Sequence, residues 1–174
     1  MDIELSAAAI GSSSMSGGLQ AVVVGTAVGC GLAAGAFFTF SSFVMPALNR
    51  LPAPRALAAM QSINRLAVRP LFMTAVFGTA LACLAVTVWA ALEWHVPAAR
   101  WVLAGGITYV IGAIVVTIAA NVRLNNALDA MDPQGPAAAG DWARFTRPWS
   151  AWNHVRSIAS TAATGLLAVG LALS

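Results

Sequence analysis

Four long apolar runs set the limits on what this chain can fold into. They extend from about residue 19 to 45, 71 to 92, 101 to 120 and 155 to 173. A helix needs roughly 20 residues, at about 1.5 Å each, to cross the hydrocarbon of a bilayer. Three runs meet this directly, and the fourth does so with its His and Arg near the interface. The expected architecture is therefore all-α: a four-helix transmembrane bundle, a single membrane domain over residues 19–174. A short tail, residues 1–18, precedes it. That tail is not a convincing signal peptide, because it has no positive n-region and carries Asp2 and Glu4 instead.

Composition points the same way. Charged residues make up 9 % of the chain, against roughly a quarter in a soluble domain. The pI of 9.7 would point to nucleic acid in a soluble protein. Here all nine positive residues are Arg and most sit at segment ends, where membrane topology accounts for them and no nucleic-acid partner is implied. Cys30 and Cys83 lie inside apolar runs with no CxxC-like partner, so neither a disulfide framework nor a metal knuckle is indicated.

Arg placement gives an orientation. The loop from Asn49 to Pro70 holds Arg50, Arg55, Arg65 and Arg69, and the loop from Asn121 to Pro148 holds Arg123, Arg144 and Arg147. The tail has no positive residue. Both Arg-rich loops are thus expected on the cytoplasmic side of the cell membrane, with both termini outside. Each of these loops opens with Leu-Asn and closes with Arg-Pro. This faint repeat marks Pro70 and Pro148 as equivalent helix starts, since proline is well tolerated in a first helical turn. Leu57, Met60 and Ile63 in the first loop, and Trp142 and Phe145 in the second, fall at helical spacing. Short helices on the inner membrane face are expected there.

The six asparagines, Asn49, Asn64, Asn121, Asn125, Asn126 and Asn153, all fall at or beside the expected cytoplasmic ends, as does His154. Any site should lie toward that side. In the first helix Gly31, Gly35, Thr39, Ser42, Pro46 and Asn49 form a small and polar stripe, and Thr117, Asn121 and Asn125 do so in the third. Such stripes, like the GxxxG spacings Gly25–Gly29 and Gly31–Gly35, usually mark helix contact. His154 and Arg156 are different, because ionisable groups in spanning helices tend to face the bundle interior or a cavity. Arg156 has a bland alternative in snorkelling to the interface, and His154 in a neutral, hydrogen-bonded imidazole. The functional alternative is an imidazole poised for proton exchange. On an ideal helix the two point about 200° apart, so they do not grip one atom. Metal binding is poorly supported: the two histidines lie at opposite expected ends and no metal-ligand spacing occurs. The sequence leaves haem on His154 open but offers nothing for it.

The stretches Phe37–Leu48 (FFTFSSFVMPAL), Ala58–Ala80 (AAMQSINRLAVRPLFMTAVFGTA), Asn121–Leu128 (NVRLNNAL) and Trp142–Ser160 (WARFTRPWSAWNHVRSIAS) together resemble the DUF1772, or anthrone oxygenase-like, family of membrane proteins. The pairing of W-x-x-F with W-x-x-WNHVR is the most specific part. The family often has Asn-Pro before the second helix and NVPLN after the third. Here these positions read Arg69-Pro70 and Val122-Arg123-Leu124-Asn125. The resemblance implies conversion of an anthrone to an anthraquinone with O2 as co-substrate.

The residues can carry such a reaction without a cofactor. Removal of a proton from the activated methylene leaves an electron-rich anion that reacts with O2. His154 would be the base. Asn121 and Asn153, with Asn125, would donate to the oxyanion, and Arg156 would supply charge. Trp149, Trp152, Phe38 and Tyr109 would wall a flat aromatic ligand. The second hypothesis is non-enzymatic: a small membrane carrier, or a subunit that binds a lipid or quinone. A homodimer would supply eight helices to such a carrier. The third is purely structural, with Asn amides capping helices and Arg fixing topology.

Overall fold

The computed structural model describes residues 15–174, all in helices and short connections, with no strand among the described residues. Four helices are long and apolar enough to cross a membrane: α1 (Gly17–Leu48), α3 (Pro70–Leu92), α4 (Pro97–Asp129) and α5 (Ala138–Ala172). Between the first two lies α2 (Ala53–Ala67). The expected bundle is therefore present, with each spanning helix longer than its apolar run. The expected tail lies mostly outside the described residues. Its last residues start α1, where Ser16 Oγ accepts from the Leu19 N–H at 3.4 Å.

α1 packs chiefly on α5, α5 on α4, and α4 on α3. The main apolar core fills this bundle around Val23, Cys30, Cys83, Val102, Tyr109 and Leu167. Close approach depends on glycine at α4. A Cβ on Gly106 would lie 2.9 Å from the Cys83 carbonyl oxygen of α3, and one on Gly105 would lie 3.2 Å from the Ala163 carbonyl oxygen of α5. The GxxxG spacings of α1 matter less. Gly29 meets Thr79 and Gly31 lies against Thr164, but a Cβ at Gly25 or Gly35 would meet nothing.

A second apolar cluster closes the Arg-rich end. α2 buries Ala56, Leu57, Met60, Gln61 and Asn64, a single helical face. Leu57 and Met60 pack with Met45 and Leu48 of α1, Leu128 of α4, and Trp142, Phe145 and Trp149 of α5. Gln61 Nε2 donates to the carbonyl oxygens of Leu128 (3.0 Å) and Met131 (2.9 Å), which ties the two Arg-rich connections together. Trp142 Nε1 donates to Asn49 Oδ1 at 3.0 Å, with the same effect.

The first Arg-rich loop thus carries its expected helix, whereas the second does not carry a separate one. Trp142 and Phe145 belong to α5 itself, which runs through Pro148 as one 35-residue helix. Pro70 starts α3 as expected, but Pro148 is interior, so the two prolines are not equivalent. An interior proline costs about 3 kcal/mol. Burying a large apolar side chain returns about 1.5–3 kcal/mol, and Trp142, Phe145 and Trp149 are three such side chains on one stripe.

Four π-helical stretches interrupt the spans: Phe40–Val44 in α1, Thr74–Gly78 in α3, and Val110–Val115 and Thr117–Asn121 in α4. Such widened turns are frequent at functional sites.

Candidate active site

A cavity of about 240 Å³ lies between the two apolar clusters. Every helix contributes to it. The π-helical stretches at Phe40–Val44, Thr74–Gly78 and Thr117–Asn121 each supply a lining side chain, namely Phe40, Phe77 and Thr117. The walls are mostly apolar, and their polar groups are Asn64, Thr117, Asn125, Asn153 and Arg156.

Arg156 is the centre of this polar group. It is 7 % exposed, and no carboxylate among the described residues lies within ion-pair distance of it. Its Nη2 donates to Asn153 Oδ1 at 2.6 Å and its Nη1 to Thr117 Oγ1 at 3.2 Å. The guanidinium carbon stands 4.3 Å from the centre of the Phe37 ring and 5.7 Å from that of Trp149. Cation–π contact of this kind contributes about 2 kcal/mol when desolvated. Removing an ion from water costs several kcal/mol, so the guanidinium remains short of a negative partner. Among the described residues its Nε has no hydrogen-bond partner, and neither has Nδ2 of Asn64, which lines the same cavity.

Asn153 holds this arrangement together. It is fully buried, and its Nδ2 donates to the Phe37 carbonyl oxygen and to Ser41 Oγ, both at 2.8 Å. It thereby joins α5 to α1 while accepting from Arg156. Trp149 is set by its neighbours on α4: its Nε1 donates to Asn125 Oδ1 at 2.7 Å. Asn121 Nδ2 donates to the Trp149 carbonyl oxygen at 3.4 Å.

The structure brings together Asn125, Trp149, Asn153 and Arg156 of the residues expected from sequence. Asn121 is buried behind them and holds the backbone at Trp149 rather than lining the cavity. Tyr109 lies in the main core, where its hydroxyl donates to the Val76 carbonyl oxygen at 3.1 Å. Phe38 and Trp152 are exposed, at 62 % and 44 %.

His154 is exposed as well, and it is not among the cavity residues. The reason is helical phase. α5 turns Trp149, Asn153, Arg156, Ser157 and Ser160 inward, which leaves position 154 on the outer flank. The role of base expected for His154 therefore finds no place in this cavity. Phe37, Asn64 and Phe72 line it instead, and sequence reasoning did not single them out for the site. Phe37 was discoverable: it continues the buried series Val23, Cys30 and Ala33 at helical spacing.

Among the described residues no three His, Cys, Asp or Glu side chains cluster. Cys30 and Cys83, unpaired by sequence spacing, meet in the core with their Sγ atoms 3.6 Å apart, away from the cavity.

The family model described as anthrone oxygenase matches residues 69–166. The chain belongs to the anthrone oxygenase family. The match takes in α3, α4 and most of α5, and so includes Thr117, Trp149, Asn153 and Arg156. The α1 and α2 walls of the cavity lie outside it. No curated protein and no solved structure matches the chain.

Proposed function

We propose that the protein is a multi-pass membrane oxygenase that takes a flat phenolic aromatic, of the anthrone type, into this cavity as its anion. In this reading Arg156 is the counter-charge. An anthrone methylene loses one proton, and the resulting carbanion–enolate carries its charge on the ring oxygen. That oxygen sits by the guanidinium, with an asparagine amide as a second donor. The anion gives an electron pair to O2, forming a C–O bond and, after protonation, a hydroperoxide. Loss of the second methylene proton with O–O cleavage yields the quinone carbonyl and water. One anthrone and one O2 thus become one anthraquinone and one water. No imidazole or carboxylate among the described residues lines the cavity, and in this reading the first proton passes to water. Arg156 acts by stabilising the anion instead of by accepting the proton. The Arg-rich end faces the cytoplasm in this proposal.

The single observation that carries the reading is a buried guanidinium in an aromatic-walled cavity, with no carboxylate partner among the described residues. The test is O2 uptake and quinone absorbance with a hydroxyanthrone and purified protein in nanodiscs. Arg156→Met should abolish both, and Arg156→Lys should retain part of the rate. Full turnover by Arg156→Met would refute the assignment.

The lack of an acid–base side chain in the cavity also favours a second reading, a quinone- or lipid-binding membrane subunit. Binding of a hydroxyanthraquinone with no O2 uptake from the hydroxyanthrone would select it.

A further inference from the structure

A second cavity, a groove of about 410 Å³, opens between α1 and the start of α3. It shares Ala36 and Phe72 with the cavity that holds Arg156. We propose that this groove is a receiving site for the ligand, an apolar polycyclic phenol arriving dissolved in the bilayer, and that Phe72 divides it from the inner cavity. The proposal rests on the cavity reading above and adds a route and a second binding position.

The groove looks outward from the bundle. Leu32 and Leu71 on its walls are 64 % and 88 % exposed, and both belong to membrane-crossing helices. Its lining is apolar except for Arg69 at the start of α3. An Arg in that position lays its stem along apolar surface and keeps its head at the interface. It would meet a phenolic oxygen while the rings lie against Leu32, Ala75 and Leu71. Such a ligand prefers lipid to water, so a lipid-side mouth samples its main reservoir.

The partition between the two spaces is also lightly anchored. Pro70–Met73 contains no buried residue, and the π-helical turn that follows, Thr74–Gly78, contains only Val76. Segments with few buried contacts open at low free-energy cost. Phe72 can therefore turn aside without breaking either core cluster, since it only packs against the rim of one.

A competing entrance lies at the Arg-rich end, where Val68, 68 % exposed, lines the inner cavity but not the groove. Ala75 has the opposite property: it lines the groove and not the cavity. Ala75→Phe and Val68→Phe thus obstruct one entrance each. In nanodiscs preloaded with 1,8-dihydroxyanthraquinone, stopped-flow quenching of tryptophan fluorescence gives both rate constants and the Kd. Ala75→Phe should slow association and dissociation alike by about tenfold, the effect of roughly 1.4 kcal/mol of added barrier, and leave Kd unchanged. Val68→Phe, which narrows the inner cavity itself, should change Kd and should not slow association and dissociation in step. Leu32→Phe, on the other wall of the groove, should reproduce Ala75→Phe and covers the case in which that variant does not fold. Unchanged rates in both groove variants would overturn the proposal, as would matched slowing of both rates at unchanged Kd in Val68→Phe alone. If wild-type protein shows no saturable quenching, the ligand reading of the cavity fails and the receiving site fails with it.

Discussion

Asn153→Asp puts the role of Arg156 to its sharpest test. The substitution keeps the shape of the side chain and sets a carboxylate where an amide oxygen now lies 2.6 Å from Arg156 Nη2. The guanidinium would then have the negative partner it lacks. Two amide hydrogen bonds, to the Phe37 carbonyl oxygen and Ser41 Oγ, lose their donor. The Ser41 hydroxyl can turn and donate to the carboxylate, so the net loss is one neutral bond of about 1 kcal/mol. The new ion pair offsets it, and thermal unfolding in detergent should show a folded protein. Anion binding should suffer. A ligand oxyanion on the far side of the guanidinium would stand about 6 Å from the new carboxylate, and at an effective dielectric constant of about 20 the repulsion is about 2.8 kcal/mol. That corresponds to about 100-fold in affinity. Titration with 1,8-dihydroxyanthraquinone under conditions that ionise it reads this directly, and O2 uptake with a hydroxyanthrone should fall in parallel. A folded Asn153→Asp variant that binds within about threefold of wild type would show that the Arg156 charge serves the scaffold and not a ligand.

Other substitutions probe the remaining assignments. His154→Ala should leave O2 uptake at the wild-type rate and stability within about 0.5 kcal/mol, as for other exposed positions; lost turnover would return the imidazole to the mechanism. Gly106→Ala should destabilise the bundle by about 1–3 kcal/mol through overpacking, because its Cβ would press on the Cys83 carbonyl oxygen. Gly35→Ala, where a Cβ meets nothing, should be neutral or stabilising by up to about 1 kcal/mol, and unfolding of the two variants side by side checks both. Gln61→Leu removes the donor to Leu128 and Met131 and should speed amide exchange in α2 more than in α4, read by hydrogen–deuterium exchange.

The bundle was legible because length and apolarity alone mark a spanning helix. The α2 helix was legible because it sits at the Arg-rich end, where polar and apolar faces differ: Leu57, Met60 and Ile63 marked its inner side. The inner face of α5 was much harder to read. Ile158, 70 % exposed, is as apolar as Leu167, which is fully buried, since lipid and protein interior favour the same residues. With no amphipathic contrast, helical phase has to be read from the few polar residues. His154 and Arg156 point to opposite phases there, and the cost of burying charge is the better guide to which of them faces inward. The same want of contrast hides that Phe37, and not Phe38, faces the cavity. The continuity of α5 through Pro148 was illegible for another reason. It depends on a three-aromatic stripe finding partners in α1, α2 and α4, which no local window contains.

The site is divided between two parts of the chain. The cation and the groups that hold its orientation, Thr117, Asn153 and Trp149, lie within the stretch that matches the family. The opposing surface comes from outside it: Phe37 and Phe40 from α1, Met60 and Asn64 from α2. The two are hydrogen-bonded through Asn153, which donates to the Phe37 carbonyl oxygen and Ser41, while Arg156 lies over the Phe37 ring and Trp149 packs against Phe40 and Met60. Charge and shape are therefore separable in this fold. Changes in α1 or α2 that spare Phe37, Ser41 and the residues packed on Trp149 can reshape the pocket without disturbing the guanidinium, whereas a change at Phe37 alters both, because the same ring bounds the cavity and supports the cation. Under the proposed function, Met60 and Asn64 would set which aromatic fits, and Arg156 that it binds as an anion.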